Sequence, residues 1–187
     1  MSNPRSLTAE PCTVLMVPGI GNSDPEHWQS QWETHDAACV RVQQRDWDNP
    51  VRAEWCASLD AAVMRAGRDV VIVAHSLGCL LVAHWAAATA TAIRGALLVA
   101  VPDPDGPGFP VEATGFGTVP DAALKFHSIV VASTNDPYGS IQFAEYCARS
   151  WGSRFINMGA AGHINSSSNL GGWPRGLALL RELRDGG

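Results

Sequence analysis

The segment VVIVAHSLGCLLVAHWA joins a β-branched run to a helical pattern through His75-Ser76-Leu77-Gly78. A serine at such a junction is held in a sharp turn with its hydroxyl lifted above the strand end. Small residues two places before and after it let the backbone bend. This turn, a nucleophile elbow, is usually written G-x-S-x-G; here it reads Ala74-x-Ser76-x-Gly78, with alanine at the first small position. A serine that merely caps a helix is common, but the strand–turn–helix context favours a nucleophile at Ser76.

A serine hydroxyl attacks well only when a base takes its proton. His163 suits that role, because Gly162-His163 follows a late apolar run and a short GAA loop, where a glycine allows a tight turn. The other histidines fit less well. His84 is in mid-helix, His127 precedes a strand, His35 ends a helix at the surface, and His75 cannot easily reach round to its neighbour.

The base in turn needs a carboxylate to fix its tautomer. Asp136, in the turn TNDPY, gives the chain order serine, aspartate, histidine. An aspartate before proline also commonly closes a turn, and both uses are compatible. Asp103 and Asp105 are the rival acids, one strand earlier. The oxyanion of an acyl-transfer intermediate needs backbone donors. The Leu77 amide is one, and the Ile20 amide, in the loop Pro18-Gly19-Ile20-Gly21-Asn22, is chosen as the other. The same glycines suit a plain turn or an anion nest. However, no G-x-x-x-x-G-K-[ST] or G-x-G-x-x-G pattern is present and no lysine is near. No ligand spacing for a metal is visible either, so no cofactor and no metal are expected.

Short apolar runs alternate with helical patterns. Strands are expected at Val14–Val17, Cys39–Val42, Val70–Ala74, Ala96–Val101, Ser128–Ser133 and Arg154–Met158. Helices are expected at His27–His35 (capped by Ser23 or Asp24, with Pro25 early in the helix), Arg52–Ala66, Leu77–Ala88, Ile141–Ser150 and Trp173–Leu183. The strand runs are continuously apolar, as in strands buried on both faces. Alternation with helices then implies an α/β fold: about six mostly parallel strands with helices on both faces. Function in such sheets gathers at the carboxyl ends of the strands, where Ser76, Asp136 and His163 fall. The Pro- and Gly-rich stretch 102–120 is long for a structureless connection and is either functional or mobile. It is too short for a lid domain.

The 187 residues suit a single domain, with residues 1–12 as a loose N-terminal segment. Apolar residues make up 46% and charged residues 17%, which is globular rather than disordered. The net charge of −5 and scattered arginines show no basic patch, which argues against nucleic acid. The start lacks a secretory pattern, and the longest apolar stretch is broken by His84, so no membrane segment and a cytoplasmic location are expected. Five cysteines without a C-x-x-C pair read as small buried hydrophobes in a reducing compartment. Of the seven tryptophans, Trp28, Trp32, Trp55 and Trp85 fall at helical positions and read as packing. His27, Trp28 and Trp173 are also candidates for lining the pocket.

VLMVPGIGNSDPEHWQSQWE, DWDNPVRAEW, AHSLGC, STNDPYGS and GAAGHINSSSNLGGWPRG together resemble the small serine hydrolases that include the bacterial YdeN-like proteins and vertebrate retinoblastoma-binding protein nine. The likeness runs from about Val14 to Leu183. It implies a minimal α/β-hydrolase fold without a cap domain, lacking the two antiparallel leading strands of larger relatives. It also implies a triad of Ser76, Asp136 and His163. Alanine at position 74 departs from the family pattern. A pocket-protein partner is discarded, because Leu77-Gly78-Cys79-Leu80-Leu81 lacks the acid of L-x-C-x-E and should be buried.

The expected activity is hydrolysis of small carboxylic esters through an acyl-enzyme on Ser76, with a small-molecule acyl substrate as partner. The same groups would serve an amidase or a thioesterase. A hydrolase fold that has lost turnover and serves as a binding module is the alternative of another class, and a flavodoxin-like nucleotide binder is disfavoured by the elbow.

Overall fold

The computed structural model describes residues 12–186. The loose segment expected over residues 1–12 therefore lies, apart from Cys12, outside the described residues. Six strands form one sheet: β1 (Thr13–Val17), β2 (Cys39–Arg41), β3 (Val70–His75), β4 (Gly95–Val99), β5 (His127–Ala132) and β6 (Arg154–Asn157). Their spatial order is β2-β1-β3-β4-β5-β6, and every neighbouring pair is parallel. The helices are α1 (Trp28–His35), α2 (Arg52–Ala66), α3 (Leu77–Ala88), α4 (Ile141–Trp151) and α5 (Pro174–Asp185).

The continuous apolar runs are explained by burial on two faces. Alternate residues of each central strand enter two separate cores. Leu15, Ile72, Leu98 and Val130 pack on the side of α2, α3 and α4. Met16, Val73, Leu97 and Val131 pack on the side of α1 and α5. The helix patterns follow from this. In α2, Trp55, Leu59, Ala62 and Val63 form the apolar stripe and are buried. In α3, the nine residues from Leu77 to Trp85 are all buried, because α3 lies over the middle of the sheet.

Gly78 shows why α3 can approach so closely. A β-carbon there would lie 2.3 Å from the carbonyl oxygen of Val17, on β1. Ala74 is fully buried between Val17 and Leu98 on the neighbouring strands. A methyl group is accommodated at that position.

Four local expectations need correction. The N-cap of α1 is His27, whose Nδ1 accepts the Gln29 amide at 3.2 Å, and not Ser23 or Asp24. Asp24 instead closes the preceding turn by accepting the Glu26 and His27 amides, and Pro25 belongs to that turn rather than to the helix. β4 ends at Val99, two residues early, and Trp173 caps α5 in a left-handed conformation with φ +41°. The 102–120 stretch has no helix or strand. It is pinned in its middle, where Thr114 exchanges backbone hydrogen bonds with Pro50 and Arg52 and Phe116 is fully buried against Trp55 and His84.

Winding runs from β1 outward to β2, then reverses to β3 on the other side of β1. The reversal opens a crevice at the carboxyl ends of β1 and β3, the place where ligands of open parallel sheets bind.

Candidate active site

Ser76 is the residue between β3 and α3, with φ +55° and ψ −127°. A non-glycine residue pays for that conformation in steric strain, and such strain persists only where the surroundings over-determine it. Here the Ser76 amide donates to the Val99 carbonyl at 2.9 Å, and the Ser76 carbonyl accepts the Cys79 amide at 2.8 Å. The backbone is fixed from both strand and helix. The hydroxyl is left facing the crevice.

Asp136 follows β5 and His163 follows β6. Both Asp136 oxygens lie 2.9 Å from His163 Nδ1. A carboxylate can only accept, so Nδ1 carries the proton and Nε2 is left as an acceptor. Nε2 stands 2.9 Å from Ser76 Oγ, which donates to it. The side chains of His163 and Asp136 are 10% and 3% exposed, so the relay is nearly dry. Asp136 also accepts the Tyr138 amide, so the turn-closing and the histidine-facing uses of this aspartate coexist. Asp103 instead accepts the Asp105 amide, and neither rival acid hydrogen-bonds His163.

The loop bearing His163 is clamped by four side chains from three other segments. Ser133 Oγ accepts the Ala161 amide, and Asn135 Oδ1 accepts the Gly162 amide. Gly162 itself turns with φ +59°. His75 Nε2 donates to the His163 carbonyl at 2.9 Å, and Trp28 Nε1 donates to the Ile164 carbonyl at 2.8 Å. His75 and Tyr138 also pack their rings on the His163 imidazole, with centroids 4.8 and 4.5 Å away.

A cavity of about 350 Å³ opens over Ser76. Ile20 and Leu77 line it, and neither of their amides donates to another protein group among the described residues. A β-carbon on Gly19 would lie 2.9 Å from that of Ser76, which shows how closely the first loop approaches the serine. Two free amides beside a serine hydroxyl are what a developing oxyanion requires.

Of the three pocket candidates, only His27 lines the cavity. Trp28 and Trp173 do not. They pack against each other and against Trp32 on the core face under α1 and α5, 1% and 2% exposed. Tryptophans four residues apart on a helix share a face, and here that face is the core. Trp28 still serves the site at one remove through Ile164. Pro102, Gly108 and Pro110 of the 102–120 stretch supply part of the cavity lining. All five cysteines are free, and Cys79, directly behind the elbow, has its thiol pushed well up by burial.

Beside the relay lie two buried rings. His27 and His75 are 4.7 Å apart, centroid to centroid. Burial drives the His27 pKa from its ordinary 6.5 down to about 4, with smaller opposing and reinforcing effects from Asp24, Arg41 and His163. Burial lowers His75 in the same sense, reinforced by the charges of His163 and His27. Both are therefore held neutral in the folded chain, while the unfolded chain protonates them near 6.5. The unfolded state binds more protons between about pH 6.5 and 4, so stability is whole above this window and is lost as pH falls through it. His27 alone accounts for a loss of about 3 kcal/mol. Urea unfolding at pH 7 and pH 4.5 checks this: the wild type should weaken markedly and His27→Gln less so. Equal loss in both would remove His27 from the account.

A family model described as serine hydrolase matches residues 14–182. The solved structure of a putative YdeN-like hydrolase from Pectobacterium atrosepticum is 31% identical, with a TM-score of 0.83 over 92% of this chain and 90% of that one. The ydeN gene product of B. subtilis is 17% identical, with a TM-score of 0.77 over 91% of this chain and 97% of that one. A monoacylglycerol lipase from Paleococcus ferrophilus is 12% identical, with a TM-score of 0.71 over 93% and 94% of the two chains, and shares the fold. A search of the curated proteins finds no match.

Proposed function

The chain belongs to the serine hydrolase family, among its small YdeN-like members with a minimal α/β-hydrolase fold, and from that premise we propose that it cleaves small carboxylic esters through an acyl-enzyme on Ser76. The observation that carries the proposal is the unbroken relay from Asp136 through His163 to the Ser76 hydroxyl, each link 2.9 Å, ending in a cavity.

The steps follow from the geometry. Ser76 Oγ attacks the ester carbonyl carbon as its proton passes to His163 Nε2. Asp136 holds the Nδ1 proton and steadies the imidazolium that forms. The former carbonyl oxygen, now negative, is held by the Ile20 and Leu77 amides. The intermediate collapses by breaking the bond to the leaving oxygen, which takes the proton from His163 Nε2. The acyl group is then an ester of Ser76. A water molecule gives a proton to Nε2 and attacks that ester, and Ser76 recovers its proton as the acid leaves.

A 350 Å³ cavity with no cap domain above it among the described residues suits short acyl chains over long ones. Esters are favoured over amides and thioesters, although the same groups serve all three. The five unpaired cysteines and the lack of any helix long and apolar enough to span a membrane among the described residues suit work in the cytoplasm. The test is a p-nitrophenyl ester series with acid-quenched intact mass. Acetyl and butyryl esters should turn over faster than decanoyl, and a single acyl adduct should be trapped. Hydrolysis without any acyl adduct, equal in Ser76→Ala, would remove the covalent route.

A further inference from the structure

The wall of the Ser76 cavity is divided. Leu77, Pro102, Gly108, Pro110 and Tyr138 make its more apolar part, and Asn22, Asp24, Asn165, Ser166 and Ser167 its polar part. No lysine or arginine among the described residues lines it. The neighbouring cation, Arg41, is turned to the far side of the first loop. There it donates to Asn22 Oδ1, the Ser23 carbonyl and Ser30 Oγ, and pairs with Glu33. Asp136 is buried and occupied by His163. Among the described residues, Asp24 is thus the one carboxylate on the cavity wall free of a histidine partner, and it is exposed.

Its position is fixed. One oxygen accepts the Glu26 and His27 amides, each at 2.9 Å, and the other accepts the Ser166 hydroxyl. Two of the segments that build the active site, the loop after β1 and the short turn after His163, therefore meet at this carboxylate. The Ser166 hydrogen bond, foremost, and those of the two amides hold its carboxyl below the usual range. These three bonds fill the first oxygen and leave the oxygen bonded to Ser166 with room to accept from a further cationic partner.

We propose that Asp24 determines substrate specificity, making the cavity selective for short esters that carry an ammonium group over isosteric neutral or anionic ones. This rests on the assignment of Ser76 as nucleophile, with the ester carbonyl bound between Ser76 and the Ile20 and Leu77 amides. The ammonium group would then lie along the wall formed by Asp24, Asn22 and Asn165. The pairing is partly solvated, so the preference is modest, about fivefold, and it weakens with added salt.

The experiment compares acetylcholine with 3,3-dimethylbutyl acetate, in which a carbon replaces the charged nitrogen, and with a monoester of succinate. In the wild type, kcat/KM should be about fivefold higher for acetylcholine than for its neutral analogue and lowest for the succinate ester. In Asp24→Asn, which keeps an oxygen for the Glu26 and His27 amides, the first ratio should fall to about one. Choline should likewise slow fluorophosphonate labelling of the wild type at lower concentration than 3,3-dimethylbutanol does, a measurement that needs no turnover. A wild-type ratio near one, or a ratio unchanged in Asp24→Asn, overturns the proposal. So does an equal loss on all three esters, which would make Asp24 only a tie between loops. Labelling that persists in Ser76→Ala would instead overturn the nucleophile assignment, so the two failures are distinguishable.

Discussion

Ser76→Ala is expected to lower ester turnover by at least about 10⁴-fold while leaving the fold intact. The size of the effect follows from the role: without Oγ no acyl-enzyme forms, and only the oxyanion donors and binding remain. The fold should survive because alanine, like serine, has a β-carbon, so the strain of φ +55° is unchanged. The hydrogen bonds that fix position 76 are made by the backbone. Thermal unfolding of the variant beside the wild type separates lost chemistry from lost structure. Turnover within tenfold of the wild type, in a folded variant, would place the nucleophile elsewhere.

Asp136→Asn should cost about 10⁴-fold in kcat near neutral pH. The asparagine oxygen can still accept the Tyr138 amide, so the turn is kept. The amide nitrogen, however, would donate toward His163 Nδ1 and drive the proton to Nε2. An Nε2 that carries a proton cannot accept one from Ser76. Asp103→Asn is the matched control, because Asp103 is the acid one strand earlier and holds only the Asp105 amide. Similar losses in the two variants would mean that the acid had been assigned to the wrong strand.

The relay was legible in the sequence for a physical reason. Each of its members sits just past a strand, and a strand buried on both faces announces itself as an unbroken apolar run. Strand ends therefore marked where chemistry could be placed, and the serine–aspartate–histidine order did the rest. α2 and α3 keep their expected bounds because a glycine stops the first and the elbow starts the second.

The cavity lining was less legible. The side-chain alternation of β3 places Ala74 on the α3 side and His75 on the side of α1 and the histidine loop. Period-two alternation could have revealed that His75 faces the carbonyl of His163. In sequence, His75 stands out only as a neighbour that cannot easily reach round to Ser76. Trp173 lies close to His163 in sequence, but its left-handed cap at α5 turns the indole into the core. In sequence, Asp24 looks like a helix cap, as Ser23 does, because both residue types are common caps. Its contact with Ser166 spans far-separated parts of the chain, and no local pattern records it.

The central claim is that Ser76 is a nucleophile activated by His163. It is tested most directly by intact mass after exposure to a fluorophosphonate, wild type beside Ser76→Ala. The account predicts one adduct on the wild type, mapped to the peptide carrying Ser76, and none on the variant. A folded wild type that takes no adduct, or a variant that still takes one, would contradict it.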